Sequence, residues 1–76
     1  MKVNFNAAIG KRLKSRRVTL EMTREKLAAR AKISDKFLYE LERGNKGMSA
    51  QTLLKLSRAL DVSADWLLEA ADEFVE

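Results

Sequence analysis

The chain has 76 residues, 46% of them apolar, and contains no Pro, Cys or His. That length holds one domain, near the lower size limit for folding without staples. Without Cys there are no disulfides or thiolate metal sites, and without His the commonest metal ligand and the usual general base are missing. There is also no Gly-rich phosphate loop and no Asp/Glu cluster at metal spacing, so an enzyme, a cofactor and a small-molecule substrate are not expected. No apolar run approaches the roughly 18 residues of a membrane span, and no apolar signal segment opens the chain, so a cytoplasmic location is expected.

The net charge of +4 conceals an asymmetry. Residues 1–47 carry 13 Lys and Arg against 5 Asp and Glu, whereas residues 48–76 carry 2 against 6. A basic half and an acidic half point to a polyanion partner on one side; the plainer reading is a merely solvated basic face.

In chain order, residues 1–5 are expected to fray, with Asn4 or Asn6 available as a helix cap. Residues 6–17 read as a first helix, its apolar face marked by Ala8 or Ile9 and Leu13. Its basic residues (Lys11, Arg12, Lys14, Arg16 and Arg17) wrap most of the helix and cannot all face one ligand. Val18, Leu20 and Met22 alternate with polar residues, the pattern of a short extended connection. Thr23 then sits as the N-cap of a helix over 23–31, where Leu27, Ala28 and Ala31 share a face. Ile33 falls in a turn. Ser34 caps a helix over 34–42 with Leu38 and Leu41 on one side, and Gly44 stands where a left-handed C′ residue is expected. Ala28 is small, as the closest approach of two crossing helices requires. Two short helices around a tight turn make a helix-turn-helix pattern.

Asn45-Lys46-Gly47 reads as a turn, and Ser49 caps a fourth helix with a stripe of Leu53, Leu56, Ala59 and Leu60. Asp61-Val62-Ser63 is a break. Ser63 caps a fifth helix carrying Trp66, Leu67 and Ala70 and reaching towards Phe74, with Asp65 favourably placed in its first turn. Trp66 is expected in the core and Tyr39 on the exposed side of its helix. Phe74 stays open between a frayed tail and an interface. No repeat or linker divides residues 1–76, a single domain with 72–76 expected to fray.

The stretch Thr23–Gly44 is similar to the helix-turn-helix of the lambdoid phage repressor and Cro family. Ala28, Ile33, Leu38, Leu41 and the run Glu42-Arg43-Gly44 carry the match. It extends back to Ile9-Gly10-Lys11-Arg12-Leu13 and forward through Ala59–Leu68, so it covers roughly residues 5–69. The resemblance implies an all-α, five-helix domain of the lambda-repressor-like type, with the motif at the second and third helices. The chain departs from the family pattern at Glu21 and Lys32, where Gly usually serves a left-handed backbone, and at Arg24, where Gln is usual.

The resemblance further implies a transcriptional regulator that reads double-stranded DNA with the second motif helix in the major groove. Its base-facing positions are Ser34, Asp35, Lys36, Tyr39 and Glu40. Phosphate contacts are implied at Thr23, Arg24, Arg43, Asn45 and Lys46, with Arg12 or Arg16 added. Asp35 could accept from cytosine N4 or serve only the helix dipole. Glu40 could read a base or pair with Lys36 one turn earlier. An internal ion pair between Arg17 and Glu42 is implied, as is a homodimer on DNA through Trp66, Leu67, Leu68 and Phe74. The competing reading is a protein-interaction or antitoxin-type module that kept the fold but binds DNA weakly or not at all. The residues at 21, 32, 35 and 40 motivate it, and steeply salt-dependent duplex binding would separate the two.

Overall fold

A computed structural model describes residues 4–69. It has five helices: α1 (Phe5–Thr19), α2 (Arg24–Ala31), α3 (Asp35–Arg43), α4 (Ala50–Ala59) and α5 (Ala64–Leu68). Every helix opens on a short polar side chain. Asn4, Thr23, Ser34, Ser49 and Ser63 each accept from the amide three residues on, satisfying one of the orphan N–H groups of the first turn.

Four helices also close in one way, with a left-handed residue at φ between 55° and 78°: Glu21 after α1, Lys32 after α2, Gly44 after α3 and Asp61 after α4. Around each, two backbone bonds take up the last carbonyls. After α2, for example, the Ile33 N–H reaches the Ala28 carbonyl at 3.0 Å and Lys32 reaches Ala29 at 3.2 Å. This is the Schellman arrangement. In three of the four, the next residue is apolar and packs on the core (Met22, Ile33, Val62), and the one after is the hydroxyl cap of the following helix. Glu21-Met22-Thr23, Lys32-Ile33-Ser34 and Asp61-Val62-Ser63 are therefore the same three-residue corner: stop, anchor, start.

This corner corrects the extended connection expected at Val18–Met22. α1 runs on through Thr19, leaving Val18 58% exposed, and the apolar alternation arises from the left-handed turn at Glu21 rather than from a strand. Asn4 and Phe5, expected to fray, are the cap and first residue of α1.

The core is built from Leu13 of α1, Leu27 of α2, Leu38 and Leu41 of α3, Leu56 and Leu60 of α4 and its cap, and Leu67 of α5, all fully buried. Burial of each such side chain contributes about 1.5–3 kcal/mol. α1 packs on α3 and α5, and α2 on α3 and α4, so α3 is held from two sides. The α1–α3 crossing is close because residue 10 is Gly. A Cβ there would stand 2.4 Å from the Leu41 carbonyl oxygen and 2.6 Å from that of Glu42. Among the described residues, no helix is long and apolar enough to cross a membrane.

Candidate nucleic-acid interface

α3 turns Leu38 and Leu41 into the core, which fixes the direction of the remaining side chains. Lys36, Tyr39, Glu40 and Arg43 follow at i, i+3, i+4 and i+7, the spacing of one helix face. Lys36 and Arg43 are exposed, and Tyr39 retains 39% of its surface. The anchoring from behind includes an ion pair. Arg17 Nε donates to Glu42 Oε2 at 2.7 Å and Nη2 to Oε1 at 3.1 Å, while Nη1 donates to the Met22 carbonyl at 2.9 Å. The two side chains keep only 12% and 7% of their exposure. One guanidinium thus joins α1, the first corner and the end of α3.

The front of α3 holds a second network that the sequence reading missed. Arg24, first residue of α2, donates from Nε to Asp35 Oδ1 at 2.8 Å and from Nη2 to Oδ2 at 3.1 Å. Its guanidinium lies over the Tyr39 ring, 4.9 Å from the centroid, and that of Arg43 lies 5.4 Å from the same ring. Hydrogen bonding to Arg24 holds the Asp35 carboxyl below its ordinary value, and the same bond raises Arg24. Opposite charges on the first residues of two helices joined by a three-residue corner were the available signal. An Arg four residues after a Tyr on one helix was the other.

These contacts give several of the expected residues specific roles. The Asp35 carboxylate is committed to Arg24 rather than left open as a bare dipole group or acceptor. Glu40 accepts from Asn45 Nδ2 at 3.3 Å, not from Lys36; among the described residues Lys36 makes no ion pair. The Ser34 and Thr23 hydroxyls are caps, accepting from Phe37 N at 3.0 Å and Lys26 N at 3.1 Å. Lys46 is exposed in the turn after α3.

Arg12 and Arg16 go elsewhere. Arg12 Nε donates to the Trp66 carbonyl at 2.9 Å, with its guanidinium 4.1 Å from the Trp66 ring centroid, and Arg16 Nε donates to the Leu60 carbonyl at 3.0 Å. The late carbonyls of a helix lack intrahelical partners, so these two cations tie α1 to the ends of α4 and α5 instead of standing beside α3. Of the expected dimer surface, Leu67 is corrected. Leu67 is fully buried in the core of its own chain and Trp66 is half-buried beneath Arg12. Leu68 is 39% exposed, and Phe74 lies outside the described residues.

A helix held from behind by a partner across a tight corner, with a cationic and aromatic front left open, is the construction of a helix-turn-helix domain. The chain belongs to that family: the helix-turn-helix domain model matches residues 10–73. It is 36% identical over 63 residues to the HTH-type transcriptional regulator DicA of Escherichia coli K12, covering 83% of this chain and 47% of DicA. It thus spans about half the length of that curated relative. Its fold matches the crystal structure of the clp gene regulator ClgR from C. glutamicum, at a TM-score of 0.88 and 33% identity over 97% of both chains. It also matches the P22 c2 repressor in complex with synthetic operator 9T, at a TM-score of 0.77 and 31% identity over 82% of this chain and 94% of that one. These are Cro/repressor-type regulators, and the five-helix, lambda-repressor-like fold is theirs.

Proposed function

We propose that the chain is the DNA-binding domain of a transcriptional regulator and binds duplex DNA with α3 in the major groove. The observation that carries this reading is the front of α3. Lys36, Tyr39, Glu40 and Arg43 share a face with no core role, while Leu38, Leu41 and the Arg17–Glu42 pair fix the helix from behind. The major groove admits one α-helix and displays a pattern that distinguishes all four base pairs. In this reading Lys36 and Tyr39 meet base edges, and Glu40 accepts from Asn45 or from a cytosine amine. Arg43, Lys46 and the N-terminal amides of α2 grip the flanking phosphates. The P22 c2 repressor, seen with its operator, supports this use of the fold.

Binding as a two-fold dimer belongs to the same proposal, because one short helix reads few base pairs. With Leu67 and Trp66 engaged within the chain, the surface for pairing is the exposed Leu68 together with the 38% exposed Phe5. Both rim a hollow of about 170 Å³ that also includes Met48 and Leu53.

Selection of bound sequences from a random duplex pool tests the proposal, since it reports specificity, half-site symmetry and spacing together. Titration of the selected site should give a log–log salt slope of about −3 or steeper per chain. Absence of binding at ~50 mM salt overturns the DNA-binding reading, and a footprint confined to one half-site at saturation overturns the dimer.

A further inference from the structure

A second cationic surface lies away from α3. Between α2 and α4 runs an open groove of about 830 Å³ that includes no α3 residue. Its floor is apolar, formed by Leu20, Ala31, Leu54 and Ala59, and Leu54 is 45% exposed. Its rim carries Arg30, Lys32, Lys55 and Arg58 against a single carboxylate, Asp61. Among the described residues none of these four cations is in an ion pair.

We propose that this groove is the docking site of the chain's own acidic segment, residues 70–76. That segment reads Ala-Ala-Asp-Glu-Phe-Val-Glu: three acids, no base, and two large apolar side chains, Phe74 and Val75. It complements the groove twice, in charge against the rim and in apolar surface against the floor. A nucleic-acid backbone complements only the rim, because phosphates gain nothing from Leu54 or Leu20.

Reach favours the same chain as the donor. Glu69, the last described residue, stands with its carboxylate 4.0 Å from the Arg12 guanidinium on α1. Leu20, the cap of α1 and one of the residues lining the groove, is eight residues further along the chain from Arg12. At 1.5 Å per residue that is about 12 Å, and seven extended residues span up to ~23 Å. Seated there, the segment neutralises a cationic surface that α3 does not use, so more of the field that attracts DNA is left on the reading face.

The test uses the full chain. Isotope-labelled protein at ~50 mM salt should show nuclear Overhauser contacts between the Phe74 ring and the methyls of Leu54 and Ala31. The double variant Lys55→Glu/Arg58→Glu, at exposed or half-exposed rim positions, should lose those contacts while keeping those of the core. Absence of the contacts in the parent chain overturns the proposal. So does their appearance only between labelled and unlabelled chains, which makes a second copy the occupant. Shifts of the groove amides on adding duplex DNA, with the Phe74 signals unmoved, overturn it in favour of a second DNA contact. Duplex binding through α3 is read out separately, so the two proposals fail independently.

Discussion

Asp35 and Lys36 are neighbours at the start of α3 and act in opposite ways on the face proposed to meet DNA. Asp35 holds the Arg24 guanidinium through two bonds and so, in the proposed complex, would withdraw a cation from the phosphates, whereas Lys36 projects without a partner among the described residues. Asp35→Asn should release Arg24 and tighten binding to all sequences by a similar factor, with the salt slope steeper by about 0.9. Lys36→Gln should instead shift the preferred base at one position per half-site, a loss of about 1–3 kcal/mol of discrimination. Salt titrations against a panel of single-base site changes decide both, and uniform losses for Lys36→Gln would mean that Lys36 reads nothing. The Arg24–Asp35 pair also carries a pH signature. Its hydrogen bond lowers the Asp35 carboxyl in the folded chain. The associated stability is therefore complete above the ordinary carboxyl range near pH 4 and is lost as pH falls through the lowered value. Carbon-13 titration should place Asp35 below the ordinary carboxyl range, and Arg24→Gln should return it towards that range. Of these residues, the exposure of Tyr39 was legible from its place on the helix face away from Leu38 and Leu41, whereas Lys36 entered through the family resemblance. The commitment of Asp35 to Arg24 was not, because it depends on how a corner sets two helix starts side by side.

Between elements, the position of α3 rests on its contact with α1, and two residues at that contact are sensitive. Glu42 receives two bonds from Arg17 with little solvent to replace them. Removing one partner leaves a poorly solvated charge, so Glu42→Ala should cost about 3 kcal/mol in denaturant melts, towards the lower end for buried pairs. An effect within ~0.5 kcal/mol of the parent would show the pair to be ornamental. Gly10 is the other. Its added Cβ would meet backbone carbonyls of Leu41 and Glu42, which cannot swing aside as a side chain can. Gly10→Ala, although it favours helix by intrinsic propensity, should destabilise by about 1–3 kcal/mol through overpacking and weaken DNA binding by tilting α3. A Tm equal to or above that of the parent would contradict this. Helix starts were legible because Ser, Thr and Asn precede apolar periodicity with a local mechanism. The continuation of α1 past Val18 was not, because alternation over five residues fits a strand and a left-handed helix exit equally well.

Across the whole molecule, the fold class and the order of the five helices were readable, since each helix shows its own stripe and cap. The surfaces where helices cover one another were read less well. Leu67 and Leu68 are adjacent and equally apolar, and only packing decides that one is core and the other surface. Likewise Arg12 and Arg16 look like any other cations on a basic helix until α4 and α5 present carbonyls to them. The corners have a further consequence. Three of the four left-handed positions hold Glu21, Lys32 and Asp61, side chains that oppose that backbone by roughly 1–2 kcal/mol each. Gly at each would relieve this while adding freedom to the unfolded chain, a partial offset of about 0.4–1 kcal/mol. Lying at three separate corners, the changes should combine nearly additively, and the triple variant Glu21→Gly/Lys32→Gly/Asp61→Gly should gain about 1–2 kcal/mol over the parent in urea. A triple variant no more stable than the parent would show that the charged side chains compensate locally. A gain of that size would mean that three corners of the backbone, one of them at Lys32 inside the helix-turn-helix itself, hold strain that a change of residue type alone relieves.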